Sequence, residues 1–228
     1  MMRRPEPPGQ RFPSIWVRNT RQRKPSSTRW LSRQLNDPYV AEAHRRGYRS
    51  RAAFKLIELD DRFRLLRPGQ RVVDLGCAPG GWTQVAVERV GSNKGRGIVV
   101  GVDLAPTVAL SGAVLLLGDL RDAAISVTLE DALGGAADVV LSDTAPAATG
   151  HASTDHLRIV ALAEDAFDLA SQILKPGGAF VAKVFQGGAE GALLASLKRG
   201  FAQLRHAKPP ASRAESAETY VVATGFRG

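Results

Sequence analysis

Four ionisable residues stand in apolar segments, where a charge is costly to desolvate unless it is paired. They are Lys55 in SRAAFKLIEL, Asp143 after VVLS, Lys183 in AFVAKVF and Glu218 before TYVVATG. A single lysine in an apolar segment usually extends its ammonium group to the surface. Two lysines and two acids in such segments instead indicate an active site, where groups with perturbed ionisation gather.

A glycine-rich segment, VVDLGCAPGGWTQ at 72–84, is the strongest local motif. It predicts an apolar strand, a turn and a helix, and Gly76, Gly80 and Gly81 let the backbone of the turn approach a ligand closely. The dinucleotide-binding spacing G-x-G-x-x-G is absent, which disfavours an oxidoreductase. Asp74 would repel a pyrophosphate, and it suits a cationic ligand such as the sulfonium and amino groups of S-adenosylmethionine.

Two further aspartates end the next two predicted strands, Asp103 in GVD and Asp119 in LLLGD. In an open α/β sheet, Asp103 is placed to hold ribose hydroxyls and Asp119 to accept from an adenine amino group. Either residue alone is equally well explained as a helix cap or a turn residue. With Asp74, however, they favour a pocket for S-adenosylmethionine, in which Trp82 either forms a wall or packs beneath the glycine-rich turn.

The elements that must position these residues alternate between strands and helices. Strands are predicted at 71–76, 97–103, 113–119, 137–143 and 179–185, and two more surround a polar loop within 201–226. Helices are predicted between the strands, and a helical pattern also extends from Asp37 to the stop at 67–69. This alternation predicts an α/β fold with a doubly wound, mostly parallel sheet, to which the last hairpin adds an antiparallel edge.

The composition limits the partners and excludes several classes of site. The 228 residues include 31 Lys and Arg against 22 Asp and Glu, and the net charge of +9 favours a polyanionic partner, nucleic acid before membrane. A single cysteine, Cys77, excludes an internal disulfide, and with four histidines it forms no zinc-binding pattern. The longest apolar region, 98–120, is interrupted by aspartate and proline, so no membrane span is predicted. No signal peptide is recognisable, and a cytoplasmic location is expected.

Residues 1–36 are rich in Arg, Pro and Ser and poor in aliphatic residues, so they are predicted to form a flexible basic arm. Trp16 and Trp30 among the arginines favour stacking on unpaired RNA bases, although a solvated tail or a mitochondrial transit peptide would have a similar composition. The arginines of the first predicted helix extend this RNA-binding surface, unless they only solvate a helix face: Arg45, Arg46, Arg49 and Arg51.

The segments SRAAFKL, VVDLGCAPGGWTQ, LSDTAP, GGAFVAKVFQG and ETYVVATG resemble the signature segments of the FtsJ/RlmE family, in the same order from about residue 37 to the C-terminus. The resemblance implies a Rossmann-like, S-adenosylmethionine-dependent methyltransferase domain at 37–228. The family's Lys-Asp-Lys-Glu tetrad falls on Lys55, Asp143, Lys183 and Glu218. Its cofactor contacts fall on Gly80, Trp82, Asp103, Asp119 and Asp143. The basic arm and Cys77 depart from the family pattern.

The same resemblance implies ribose 2′-O-methylation of a uridine in the A loop of 23S ribosomal RNA, on the assembled 50S subunit. No metal is expected from the residue pattern, and a monomer is the default. A ribose hydroxyl must lose a proton as its oxygen attacks the methyl group, and Lys183, partly desolvated and near Lys55, is the hypothesised general base. Asp143 would orient Lys183 beside the cofactor, while Lys55 and Glu218 would position the reacting groups. Desolvation and the nearby Lys55 favour the neutral amine of Lys183, whereas Asp143 and Glu218 favour its ammonium form. The sequence leaves open which of the two forms prevails.

Two other classes of function stay open. A methyltransferase of another RNA, a small molecule or a protein would use the same cofactor pocket, but it would leave the net charge and the two lysines unexplained. A non-catalytic RNA-binding factor of ribosome assembly would explain the charge, but not why all four residues of the tetrad are present.

Overall fold

The computed structural model describes residues 28, 31–32, 34–146, 149–185 and 191–228. The helices are α1 (Pro38–Arg46), α2 (Ala52–Phe63), α3 (Gly81–Val90), α4 (Ile125–Leu133), α5 (Ala152–Ile173) and α6 (Gly191–Gly200). The strands are β1 (Arg71–Leu75), β2 (Ile98–Asp103), β3 (Val114–Leu117), β4 (Ala137–Ser142), β5 (Leu174–Phe185), β6 (Phe201–Ala207) and β7 (Glu218–Phe226). Most of the predicted basic arm, including Trp16 and Trp30, lies outside the described residues. No helix within the described ranges has the length and apolar character needed to cross a membrane.

The seven strands of the described residues form one sheet in the order β3-β2-β1-β4-β5-β7-β6. Strands β1 to β5 run parallel, and β7 is antiparallel to both β5 and β6. This arrangement confirms the predicted mostly parallel α/β sheet with an antiparallel C-terminal edge. The chain order reverses between β1 and β4, so a crevice forms outside their carboxyl ends, where ligands usually bind in such sheets.

Both faces of the sheet are covered by helices because consecutive strand residues point to opposite sides. On one face, Val73 of β1 belongs to an apolar cluster with Leu129 of α4 and with buried residues of α5 and α6. On the other face, Val72 belongs to a cluster with Leu56 of α2 and Val85 of α3. The sheet therefore forms the middle of three layers, with helices packed against both of its faces.

Two boundaries differ from the sequence prediction. The helical pattern that begins at Asp37 is divided into α1 and α2, because Gly47 adopts a left-handed conformation with a φ of 75° and its N–H closes the last turn of α1. Residues 174–178, predicted to stop a helix, already belong to β5, and a register shift against β4 accommodates them.

Candidate active site

The four ionisable residues singled out in the sequence meet at the carboxyl edge of the sheet. Asp143 follows β4 directly, and Lys183 lies near the end of β5. Because β7 is antiparallel to β5, its first residue, Glu218, pairs with Phe185 at the same edge. Lys55 reaches this edge from α2. Four elements that are distant in the sequence therefore bring the predicted tetrad together.

The tetrad is a row of alternating charges. Lys183 is only 7% exposed, and its Nζ lies 3.2 Å from Asp143 Oδ1 and donates to the main-chain oxygen of Asp143 at 2.9 Å. Lys55 Nζ lies 2.9 Å from Glu218 Oε1 and 3.7 Å from Asp143 Oδ2. Each desolvated charge thus has an opposite charge within ion-pair distance, which is the condition for burying it.

Asp143 is held as an anion by its neighbours. Burial alone raises the pKa of its carboxyl group, but the charges of Lys183 and Lys55 and the hydrogen bond from Tyr220 outweigh burial and lower the pKa below its ordinary value. The Tyr220 hydroxyl donates to Asp143 Oδ1 at 2.7 Å. Burial, followed by the charges of Asp143 and Glu218, raises the pKa of Tyr220 well above its ordinary value, so the phenol stays protonated and acts as a donor.

Tyr220 and Ser212 also belong to this site, and the sequence analysis missed both. Tyr220 lies two residues after Glu218 in β7, so the two-residue period of a strand places both on one face of the sheet. That period is a signal that could have identified Tyr220. Ser212 lies in the loop before β7 and donates to Glu218 Oε1 at 2.8 Å. No pattern in that polar loop distinguishes it from the other serine there.

The glycine-rich turn connects β1 to α3 and packs against two other segments. Gly76 has a φ of 73°, and a Cβ there would lie 2.4 Å from Thr144 Cγ2 in the loop after β4. Gly80 has a φ of 111°, and a Cβ there would lie 2.7 Å from Arg49 Nη1. Both positions therefore favour glycine for their backbone conformation, and Gly76 also for its packing against Thr144, independently of any ligand.

Asp74 lies in β1 beneath the glycine-rich turn and is 1% exposed. The Thr83 hydroxyl donates to Asp74 Oδ2 at 2.6 Å, whereas Oδ1 is buried with no hydrogen-bond partner in the part of the chain that the structure describes. Burial raises the pKa of this carboxyl group to about 7. A buried oxygen without a partner fits a ligand that brings a hydrogen-bond donor, as an amino group does.

We expect Asp74 to lower the stability of the ligand-free protein as the pH rises from about 4 to about 7. In that interval the native state keeps the Asp74 proton, whereas the unfolded chain releases it. Because the native state binds the additional proton, raising the pH lowers the free energy of unfolding. An Asp74→Asn variant lacks this titration and should gain roughly 2–4 kcal/mol relative to the wild type between pH 4 and pH 8. Urea unfolding of both proteins across the range measures the gain, and a difference that does not change with pH contradicts the raised pKa.

The other predicted cofactor residues lie along the same edge, and several already have partners. Asp103 accepts from the N–H of Ala78 at 2.9 Å, which ties the glycine-rich turn to the end of β2. Asp119 follows β3 and binds Arg121 through both carboxylate oxygens, at 3.0 and 2.7 Å. Trp82 is buried and its Nε1 donates to a main-chain oxygen of α2 at 2.8 Å, so it packs beneath the turn. Asp74, Asp103 and Asp119 thus lie at or just beyond the ends of three neighbouring strands, where carboxylates can accept hydrogen bonds from a ligand.

The four arginines predicted to bind RNA are placed in two different ways. Arg49 donates at 2.7 Å to two main-chain carbonyls of the loop after β2, and Arg51 pairs with Asp37 at 2.9 Å. Arg45 and Arg46 instead lie on the surface of α1, where both pair with an acidic residue of the same helix. Exposed pairs of this kind are weak, so Arg45 and Arg46 can exchange their partner for a phosphate more easily than the other two.

A cavity of about 370 Å³ opens beside the tetrad. Its lining comprises Arg51, Lys55, Arg213, Glu215, Ser216 and Glu218. Small-molecule sites commonly measure roughly 300–1,000 Å³, and this cavity of similar size adjoins two residues of the tetrad, Lys55 and Glu218. Among the described residues, no group of three or more His, Cys, Asp or Glu is arranged to hold a metal ion.

Comparisons with known proteins match almost the whole chain. The sequence pattern of the family described as FtsJ-like methyltransferase matches residues 48–226. A protein of Paramagnetospirillum magneticum named "Ribosomal RNA large subunit methyltransferase E" is 62% identical over 96% of this chain and 91% of its own length. A protein of the same name from Rhodospirillum rubrum is 59% identical over 97% of this chain and 85% of its own length. A crystal structure described as a ribosomal RNA methyltransferase of Plasmodium falciparum has a TM-score of 0.69 at 29% identity, covering 79% of this chain and all of that one.

Proposed function

The chain belongs to the FtsJ-like methyltransferase family, and from that premise we propose that it methylates the ribose 2′-hydroxyl of a uridine in large-subunit ribosomal RNA, with S-adenosylmethionine as the methyl donor. The observation that carries the proposal is the buried pair of Lys183 and Asp143, continued through Lys55 to Glu218 beside the glycine-rich turn. The names of the relatives support ribosomal RNA as the substrate class. The resemblance further implies the A loop of 23S RNA within the assembled 50S subunit, and we take a cytoplasmic monomer as the default.

The residues at the carboxyl edge fit the proposed donor. S-adenosylmethionine supplies a methyl group on a positively charged sulfur, and it carries an amino group, ribose hydroxyls and an adenine. We assign the ribose hydroxyls to Asp103 and the adenine amino group to Asp119, as the order of the strand ends suggests. The buried, unpartnered Oδ1 of Asp74 and the anionic Asp143 suit the cationic end. Gly76, Gly80 and Trp82 shape the turn above β1.

The tetrad would act on the substrate hydroxyl. The 2′-oxygen must lie in line with the methyl group and must lose its proton as the new bond forms, so positioning and proton transfer supply the rate. In the proposed mechanism the Lys183 ammonium group first releases a proton to solvent, and the neutral Nζ then takes the proton of the 2′-hydroxyl. Asp143 holds Lys183 through the 3.2 Å ion pair, and Lys55 and Glu218 fix Asp143 from the other side. Tyr220 adds a hydrogen bond that keeps the Asp143 carboxylate oriented.

The test is methyl transfer from labelled S-adenosylmethionine to large ribosomal subunits that lack the modification, with naked 23S RNA, a protein extract and a small-molecule extract in parallel. Resistance of the modified linkage to alkaline cleavage maps the labelled ribose. One labelled uridine in the A loop, on subunits rather than naked RNA, supports the full proposal. Label in another fraction, with donor binding intact, would favour a methyltransferase of another substrate. Failure to bind the donor at all would favour a non-catalytic assembly factor.

We propose that the basic arm at 1–36 and the outward arginines of α1 dock RNA, while 37–228 forms the methyltransferase domain. For a single-stranded nucleic acid, each phosphate contact that is lost reduces the steepness of log K against log salt concentration by roughly 0.7. Deletion of 1–36 should therefore reduce the salt dependence of RNA binding by several such increments. Calorimetry should show unchanged affinity for S-adenosylmethionine, because none of the residues assigned to the donor belongs to the arm. Filter binding at several salt concentrations measures the slope, and equal slopes for both proteins would argue against the arm.

A further inference from the structure

The loop between β6 and β7, residues 208–217, is fastened to α1 and α2. The N–H of Ala211 donates to Glu58 Oε2 of α2 at 2.7 Å, and the Arg51 guanidinium donates to the main-chain oxygen of the same residue. Arg213 Nη2 lies 3.4 Å from the carboxylate that caps the start of α1. The backbone before Ser212 and the side chain of the residue after it are therefore held in place by contacts with the helices and their caps.

Ser212 lies between the two residues that make these contacts, and its own side chain contacts the tetrad. It is 6% exposed, and its hydroxyl donates to Glu218 Oε1 at 2.8 Å. The same oxygen lies 2.9 Å from Lys55 Nζ, and Glu218 Oε2 accepts from Lys55 at 2.9 Å. Two donors thus hold the Glu218 carboxylate against rotation. One is the Ser212 hydroxyl, which stands on a loop held by the helices, and the other is the flexible Lys55 side chain.

We propose that Ser212 is a positioning residue for the methyl transfer proposed above, on which this inference rests. By fixing the Glu218 carboxylate, Ser212 holds Lys55 where its Nζ reaches both Glu218 and, at 3.7 Å, Asp143. Without the Ser212 hydroxyl, the carboxylate can rotate about its terminal torsion and draw the Lys55 ammonium away from Asp143. Asp143 would then hold Lys183 less firmly, and the reacting geometry would loosen.

Steady-state kinetics on unmodified large subunits tests this role. Ser212→Ala should lower kcat about tenfold, the effect of losing one hydrogen bond to a charged group, while KM for the subunit and Kd for S-adenosylmethionine change less than about twofold. Ser212→Thr keeps a hydroxyl and should restore most of kcat. A matched control is Lys208→Met, which frees the same loop from the carbonyls of Ala214 and Ser216 without touching Glu218. An equal loss of kcat in the control would assign the effect to loop disorder and overturn the proposal.

A double-mutant cycle tests whether the effect passes through Glu218. In a Glu218→Ala background, Ser212→Ala should lower kcat by less than about twofold, because the group that it positions is absent. The same tenfold loss in both backgrounds would show that Ser212 acts by another route, and the proposal would fail.

A spectroscopic measurement separates this inference from the proposed function. The Lys55 ammonium group, held by two carboxylates, should give a slowly exchanging ¹⁵Nζ signal in the wild type, and Ser212→Ala should accelerate that exchange at least about threefold. Unchanged exchange together with unchanged kcat would overturn the role of Ser212. If the wild type methylates no RNA, the proposed function falls, and the exchange rate alone decides whether Ser212 positions Lys55.

Discussion

A Lys183→Ala variant should lose methyl transfer by roughly 10³-fold in kcat, within the range that a positioned general base contributes. The reason is that Lys183 is the proposed proton acceptor, held 3.2 Å from Asp143 Oδ1, and alanine has no group to receive the hydroxyl proton. The affinity for S-adenosylmethionine should stay within about threefold, because the acidic groups assigned to the donor are unchanged. Single-turnover transfer to unmodified large subunits measures the first quantity and calorimetry the second.

Two further variants make the Lys183 prediction specific. Lys183→Arg keeps the positive charge beside Asp143, but a guanidinium group stays protonated, so this variant should be as inactive as Lys183→Ala. Lys175→Ala is the matched control, because Lys175 lies in the same strand and pairs with Asp138 at the surface, with 52% of its side chain exposed. Its turnover should equal that of the wild type. Wild-type turnover in Lys183→Ala would show that the proton leaves by another path.

Asp143→Ala should both abolish turnover and lower the free energy of unfolding by about 3–5 kcal/mol, the usual cost of leaving a buried charge without its partner. The variant removes the carboxylate from between two ammonium groups, and it also leaves the buried Tyr220 hydroxyl without its acceptor. Urea unfolding at pH 7 measures the loss. A loss below about 1 kcal/mol would mean that water reaches the site and screens both lysines.

The stabilisation that Asp143 provides should depend on pH, and a second substitution should offset part of its loss. Its pKa is lowered in the native state, so its stabilisation is present above the ordinary carboxyl pKa of about 4 and is lost as the pH falls through the lower native value. The stability difference between wild type and Asp143→Ala should therefore shrink in acid. Adding Lys183→Met to Asp143→Ala removes one of the uncompensated charges and should restore part of the stability, although not the activity.

The sequence predicted the sheet and most of the tetrad because both depend on local patterns. Apolar segments that end in aspartate mark parallel strands, and the carboxyl ends of parallel strands meet at one edge, which placed Asp103 and Asp143 correctly relative to each other. Lys183 was recognisable because an ammonium group in an apolar strand needs a partner. Lys55 and Glu218 were recognisable in the same way, and the resemblance to a known family then joined the four residues into one tetrad.

The features that the sequence could not predict depend on packing between distant segments. Arg49 and Arg51 have the composition of an RNA-binding surface, yet their guanidinium groups bind carbonyls and a carboxylate within the protein, because the loops that meet them come from other parts of the chain. Ser212 contacts Glu218 only because α1 and α2 fasten its loop. The division of the first helical pattern at Gly47 depends on one residue in a left-handed conformation.

Because β7 lies between β5 and β6 in the sheet, the site is complete only when the C-terminal strand has docked. The Lys55 and Glu218 side chains that meet there are separated by 163 residues in the chain, so their contact requires closure of almost the largest loop that the domain contains. Contacts of such high sequence separation form late, after the local helices and hairpins. A form of the domain without β7 would keep the parallel strands, but it would lack Glu218, one of the four tetrad residues, and Tyr220, the hydrogen-bond donor to Asp143. We therefore expect methyl-transfer activity to appear when β7 docks and to disappear when β7 detaches.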